Sequence, residues 1–535
     1  VVRAHDDGRR AGGHGERVAG RDVDLRLDGR GAKHAQLTRA LRAAMMAGFV
    51  GFAGGRRLPA TRQLARELGL SRNTVLAAYE QLRAEGFIES RAGSGSYVAP
   101  QLPAAPRPPA PEERPPLAPQ SHHARRMREC HRPGAIPGLV APGVMHAFQC
   151  GVPMINPALS TAWSRELARA ARSAPADYPP TQGLQALREA TCDYLARRRG
   201  VHASPEDVLI VNGTQQAIAL IADVLLDEGD AVAIEEPHYT AIRKVLQAHG
   251  ARMHAIGVDR EGLRCDELPA EGAKLACVTP SHQFPTGAVM SLRRRMALLD
   301  YAARHGAWIF EDDYDGEFRY DGKPLAALRS LDEDGRVVYV GTFSKALLPT
   351  IRLGYLVMPP RLRRDFIAAK WASDVASPGV EQAALASFIA GGGFERHLRR
   401  TALELRQRRA ALVEGLRACS RGRLEVEDSR AGMHLVAWFP GRGDDEVAAL
   451  IAHAERERLG LYPTAPLHLR PHARSGLVMG YSGMSVAEIG QALAIFARCL
   501  NEVFPLSARP PRRLPARRPT TRGRPDRWRA APASG

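Results

Sequence analysis

Nine of the twenty residues from Pro100 to Pro119, PQLPAAPRPPAPEERPPLAP, are proline. Each proline fixes φ and removes a backbone donor, so neither a helix nor an interior strand can run through the stretch. The chain must therefore fold as separate bodies on either side of an extended, polyproline-like spacer. Composition places the boundaries. Residues 1–30 are a Gly/Arg/Asp-rich lead without sustained period and are expected to be flexible. Residues 31–99 form a first body, 100–146 the spacer, 147–505 a second body, and 506–535 a disordered Arg/Pro-rich tail. A tether running to residue 146 would reach on the order of 140 Å at ~3.1 Å per residue.

Charge narrows the partners. The 535-residue chain carries a formal net charge of +18, which points to a polyanion such as nucleic acid. Nine arginines against one aspartate in the tail supply about +8 of that excess. The seven cysteines include no CxxC pair, so neither a disulfide framework nor a zinc ribbon is indicated. No apolar run is long enough to span a bilayer, and the first residues lack the apolar core of a secretory signal. A cytoplasmic location and no membrane partner are expected. Only six lysines occur, Lys33, Lys244, Lys274, Lys323, Lys345 and Lys370, so a reactive amine has few candidates.

In the first body, HAQLTRALRAAMMAGF sets Leu37, Leu41, Ala44 and Met45 on one helical face. TRQLARELGLSRNTVLAAYEQLRAEGF then breaks at Gly69 into two helices. Ser71 is placed to cap the second, whose buried stripe is Val75, Ala78, Tyr79 and Leu82. This is helix-turn-helix spacing, and FIESRAGSGSYVA suits a two-stranded wing turning at Gly93-Ser94-Gly95. Arg62 and Arg72 at the helix starts, Thr74, and the wing tip at Gly93 and Gly95 are the candidate contacts to DNA.

In the second body, DVLIVNG, DAVAIEEP, KLACVTPS, AWIFEDD, VVYVGTFSK and LGYLVM alternate with helix-period segments. The pattern predicts a large, mostly parallel α/β sheet. The later GMHLVAWF, GLVMGYS and VAEIGQALAIFARCL suit a smaller α/β lobe. Ligands of such sheets bind at the carboxyl ends of the strands, where polar residues gather. Gly213-Thr214-Gln215 opens a helix fit for a phosphate. Tyr239 offers an aromatic face, Ser281-His282 follow the third run, and Asp312 and Tyr314 supply a carboxylate and a phenol. Ser344-Lys345 close the fifth run, with Arg352 seven residues on. A phosphate cradle, an aromatic face, a carboxylate, a phenol and a lysine are together the requirements of pyridoxal 5'-phosphate (PLP).

The motifs LPATRQLARELGLSRNTVLAAYEQLRAEG, NGTQQAI, EEPHY, VTPSHQFPTG, EDDYDGEFRY and GTFSKALLPTIRLGY, in this order, resemble the MocR subfamily of GntR transcriptional regulators. These fuse a winged helix-turn-helix to a fold type I aminotransferase-like domain. The resemblance implies that Lys345 forms the internal aldimine with PLP and that Asp312 pairs with the pyridine nitrogen. It implies that Tyr314 bonds the ring hydroxyl with His282 nearby, and that Tyr239 stacks on the ring. Gly213, Thr214, Gln215, Ser344 and Arg352 would hold the phosphate, and Tyr178, in DYPPTQGLQALR, would reach it from the partner of a homodimer.

Two departures bear on function. Aminotransferases of this fold clamp the substrate carboxylate with an arginine near the carboxyl end; the matching place in SGLVMGYSGM is Leu477, with Arg470 and Arg474 offset. Phe284 also stands where these enzymes carry asparagine before PTG. The sequence therefore reads as a PLP-dependent regulator that senses an amine, an amino acid or PLP at an operator. The alternative is a working aminotransferase with an accessory DNA-binding domain.

Overall fold

The structure is a computed structural model and describes residues 25–101, 119–130, 140, 142–154, 157–320, 325–427 and 429–505. It divides into two compact units, Val1–Pro119 and Gln120–Gly535. Lead residues 1–24, spacer residues 102–118 and the tail 506–535 lie outside the described residues.

The first unit packs α1 (Lys33–Met46), α2 (Thr61–Leu68) and α3 (Arg72–Ala84) beside a hairpin, β1 (Ile88–Arg91) and β2 (Gly95–Val98). The expected stripes are the ones buried: Leu37, Leu41, Ala44 and Met45 meet Val75, Ala78, Tyr79 and Leu82 in one core. Helix α2 ends at Gly69, whose φ of 63° is the left-handed stop that glycine tolerates. Ser71 caps α3, its Oγ accepting from the Thr74 N–H at 3.1 Å. The lengthened turn GFVGFAGGRRLP folds back by burying Phe52 and Leu58. The end of the expected flexible lead is ordered instead. Leu25 is buried in this core, and Asp28 receives Arg39 bidentately at 2.8 and 2.7 Å. Leu25, with Leu27 partly buried beside the core, and an arginine fork anchor it, too little to show as a periodic stripe.

Within the stretch expected to be spacer, QSHHARRMREC of the second unit forms α4 (His122–Cys130). Its attachments are polar: His123 Nδ1 lies 2.8 Å from the Ala248 carbonyl, and Arg126 donates to the same oxygen at 2.9 Å and to Glu228 at 2.7 Å. No side chain of α4 is fully buried, which is why hydrophobic periodicity gave no sign of it.

The sheet comprises β3 (Val208–Val211), β4 (Ala231–Glu236), β5 (Arg252–Asp259), β6 (Gly262–Leu263), β7 (Leu275–Val278), β8 (Trp308–Asp313), β9 (Val337–Thr342) and β10 (Gly354–Val357). Their spatial order is β3-β10-β9-β8-β7-β4-β5-β6. The pairs among β5, β4, β7, β8 and β9 are parallel, and β10 runs antiparallel to both neighbours. VLIV, LACV and VVYVGT are buried on both faces, as expected of a sheet covered by helices on either side. Helix α5 (Thr214–Leu225) follows β3, and α6 (Thr240–Ala248) follows β4. Beyond β9 comes a single turn, α7 (Phe343–Ala346).

The smaller lobe begins with the long α8 (Gly393–Ser420). It continues through β11 (Glu425–Glu427), β12 (His434–Phe439), β13 (Tyr462–Pro463) and β14 (Ser475–Gly480) to α9 (Val486–Val503). The four strands pair in the order β11-β12-β14-β13, antiparallel throughout. Among the described residues no helix is long and apolar enough to cross a membrane.

Candidate functional site

The pleat of β8 sorts three successive acids. Glu311 and Asp313 face one side, where their oxygens are taken. Glu311 accepts from the N–H groups of Leu328 and Arg329, both at 2.8 Å. Asp313 accepts from Arg199 at 2.6 Å and Tyr339 at 2.5 Å. Asp312 faces the other side, 4% exposed, and its Oδ1 has no hydrogen-bond partner. Burial, reinforced by the charges of Asp313, Asp315 and Glu235 and opposed by Lys345, pushes its pKa up to about 8. A buried, unpaired acceptor among like charges calls for a cation or a protonated ring nitrogen.

Lys345 extends from α7 to donate to the Gly151 carbonyl at 2.8 Å. Burial lowers its pKa, while Asp312 and Asp315 oppose that shift, leaving an amine closer to its nucleophilic form than a surface lysine. Gly151 has a φ of 77°, and a Cβ there would stand 2.9 Å from Nζ, so only glycine admits this approach. Sequence reading missed Gly151, whose signal, an isolated glycine after Cys150, is weak.

Gly213 caps α5 with φ 78°, and a Cβ on it would lie 3.2 Å from the Arg352 guanidinium. Arg352 itself has the left-handed φ of 51° and donates to the Asn212 carbonyl at 3.1 Å. The helical ladder of α5 starts with the N–H groups of Gln216 and Ala217 on Gly213, ahead of which the amides of Thr214 and Gln215 form the positive end. Ser344 is buried nearby in sequence to Lys345, its N–H on Thr342 Oγ1 at 3.1 Å. Glycine, helix terminus and arginine thus make a cradle for a phosphate.

Tyr239 stands just before α6, with Phe284 edge-on at 5.7 Å. The phenol of Tyr314 lies 3.0 Å from His282 Nδ1, which is also 2.9 Å from Asp315, while His282 Nε2 meets Ser429 at 2.8 Å. Burial raises the Tyr314 pKa well above its ordinary value, so it remains a proton donor. Asp315, Ser429 and His434 complete this network without having been singled out by sequence. His434 is carried on a strand of the small lobe, distant in sequence from the other groups. His282, Asp315 and His434 also stand close enough to be weighed as metal ligands, but His282 is bonded to Asp315 and Ser429, and His434 Nε2 to the Pro285 carbonyl at 3.1 Å. Tyr178 is not part of the cluster; it is 84% exposed.

The strand register corrects one expectation. Leu477 pairs with Ala437, and both face the main core. The residue turned toward Tyr239, Phe284 and Tyr314 is its neighbour Val478. Arg470 approaches Glu267 at 3.9 Å and Arg474 bonds Glu425 at 3.0 Å.

In the first unit, Arg62, Arg72, Gly93 and Gly95 are exposed and Thr74 half-exposed. The same surface presents Asn73 and Leu76 on α3, the latter 41% exposed. Arg57 sits against Gly95, and Arg91 stacks on Tyr97 at 4.3 Å. These four residues were not anticipated from the sequence.

Residues 34–98 match the family of bacterial regulatory proteins of the gntR type, and residues 155–479 match aminotransferase class I and II. The chain is 37% identical over 470 residues to a probable rhizopine catabolism regulatory protein, MocR, of Rhizobium meliloti, covering 87% of this chain and 92% of that one. It is 30% identical to the pyridoxine biosynthesis transcriptional regulator PdxR of Corynebacterium glutamicum, over 86% and 96% of the two. Among solved structures, α-aminoadipate aminotransferase LysN of Thermus thermophilus, complexed with N-(5'-phosphopyridoxyl)-L-leucine, superposes with a TM-score of 0.63 at 25% identity. That match covers 72% of this chain and 97% of LysN. Helix-turn-helix, aminotransferase-type sheet and full-length likeness to such regulators agree: the chain belongs to the MocR-type GntR transcriptional regulators.

Proposed function

We propose that this regulator holds PLP in the cleft at the ends of β3, β4, β8 and β9, and that a small amine acting there alters its hold on operator DNA. The observation that carries the reading is Asp312 Oδ1, buried and unpartnered in the neighbourhood of a lysine with lowered pKa. Bound there, the cofactor supplies an aldehyde that captures primary amines. Lys345 provides the resident amine. Asp312 holds the ring-nitrogen proton, and the added positive charge returns its carboxyl to the ionised state. Tyr239 covers a ring face. Tyr314, with His282 behind it, donates to the ring hydroxyl. Arg352, Ser344 and the Gly213-Thr214-Gln215 turn bind the phosphate, with Tyr178 of the partner subunit closing it in a homodimer. The exposure of Tyr178 fits a side chain that finds its contacts on a second copy.

On the DNA side, Arg62, Arg72 and Thr74 meet the major groove and its phosphates, and the Gly93–Gly95 turn approaches the minor groove. Promoter DNA as partner implies action in the cytoplasm. The apolar Val478 facing the cleft favours sensing over net transamination.

Purified protein given PLP should develop visible absorption that Lys345→Ala abolishes, and footprints on DNA upstream of its own gene should change when amines are added. Unchanged absorption in the variant would sink the cofactor assignment. Steady turnover of amino donor and keto acid would overturn the sensor reading.

A further inference from the structure

The face that the small lobe turns toward the cleft can be read residue by residue from its register. Directly opposed residues of an antiparallel pair share a face. His434 is opposite Gly480, Val436 opposite Val478, and Trp438 opposite Gly476, while Tyr462 lies opposite Val478 from the other side. Val436, Trp438 and Val478 pack with Phe284 and Leu467, and Cys150, Tyr239 and Tyr314 lie against them. Among the described residues no lysine or arginine belongs to this face. Arg474 lies over the Trp438 ring at 4.7 Å, but it is 53% exposed and held by Glu425. Arg199 is committed to Asp313 at 2.6 Å, and Arg352 stands at the opposite end of the site beside Gly213.

His434 does not replace the missing cation. Its ring is wedged 5.3 Å from Phe284 and 6.4 Å from Tyr314, with Nε2 on the Pro285 carbonyl. Burial, aided by His282, lowers its pKa to about 4, so it is neutral near pH 7. Charge on His282 would be matched by Asp315 at 2.9 Å. Beside Lys345, the ionisable groups that remain are carboxyl groups: Glu235, Asp312 and Asp315 are all buried. An acid group entering here would meet aliphatic and aromatic walls and buried carboxyl groups, with no arginine to clamp it.

We propose that the effector of this site is a primary amine bearing no carboxylate or other acid group, its remainder uncharged. The inference rests on the cofactor reading above. The test uses the full chain loaded with PLP and ligand pairs that differ only in the carboxylate: ethanolamine against L-serine, and 2-phenylethylamine against L-phenylalanine. Dissociation constants are read from the change in visible absorption and, independently, from the shift in melting temperature. The amine of each pair should bind at least about a hundredfold more tightly than its amino acid, since burying an unpaired carboxylate is strongly unfavourable. Val478→Arg should move that ratio about a hundredfold toward the amino acid, by restoring a bidentate carboxylate partner. Equal or tighter binding of the amino acids by the unaltered chain would overturn the proposal, whatever the variant does. So would silence toward both members of both pairs when the cofactor is bound. If no absorption develops before any ligand is added, the cofactor reading itself has failed, which separates the two failures.

Discussion

Replacing Asp312 by asparagine should have opposite consequences for the loaded and the empty protein. Asparagine keeps the shape and removes the charge. On the proposed reading the carboxylate balances a buried pyridinium when PLP is present, and removing one member of a buried ion pair costs about 3–5 kcal/mol. That corresponds to a rise of roughly 150- to 5,000-fold in the Kd for the cofactor. Without PLP, Asp312 is a liability. Its folded pKa of about 8 against an ordinary 3.8 means that the folded chain keeps a proton there which the unfolded chain releases. Stability from this group is therefore fully present below about pH 4 and falls as pH rises toward 8, by at most about 1.4 kcal/mol per pH unit. Glu235, Glu311 and Glu317, each raised to about 7 chiefly by burial, add slopes of the same sign. The difference between parent and variant isolates Asp312. Cofactor titrations at pH 7.5, with thermal melts of the empty proteins at pH 6 and 8, measure both effects. A cofactor Kd within threefold of the parent, or an empty variant that loses as much stability between the two pH values, would refute the argument.

Gly213→Ala should weaken phosphate binding and raise the Kd for PLP about tenfold or more, since the new methyl group meets Arg352 in a left-handed backbone; a fluorescence titration checks it. Arg72→Ala should weaken promoter binding and flatten its salt dependence by about one phosphate contact, leaving the PLP spectrum intact, as mobility shifts at several salt concentrations will report. Tyr79→Phe removes the 2.9 Å bond from the buried hydroxyl to the Pro59 carbonyl and should cost about 1–2 kcal/mol in chemical denaturation of residues 25–101.

What the sequence disclosed followed period and punctuation. The stripes of the first three helices, the cap at Ser71, and the strands that lead to Gly213, carry Asp312 and precede Lys345 were legible because each combines a hydrophobic rhythm with a stop that admits few residue types. Asp312, picked out by the resemblance, is set apart physically from Glu311 and Asp313 by the pleat, which sends alternate side chains to opposite faces. Val478 was misplaced by one position for the same reason: a single step in register exchanges the core face for the cleft face. His434, Ser429 and Gly151 were hidden, since they reach the site from segments far away in sequence and no local pattern marks them. Helix α4 was hidden for another cause, being held by polar bonds and no buried apolar stripe.

That docked helix bears on how a small event in the cleft could travel. Helix α6 begins directly after Tyr239, and the carbonyl of its final residue, Ala248, is the peg that receives both His123 and Arg126. Nine residues of helix make a rod about 14 Å long, with Tyr239 at one end and α4 at the other. On the proposed reading, a tilt imposed on Tyr239 by an incoming amine would be carried along a single stiff element to α4.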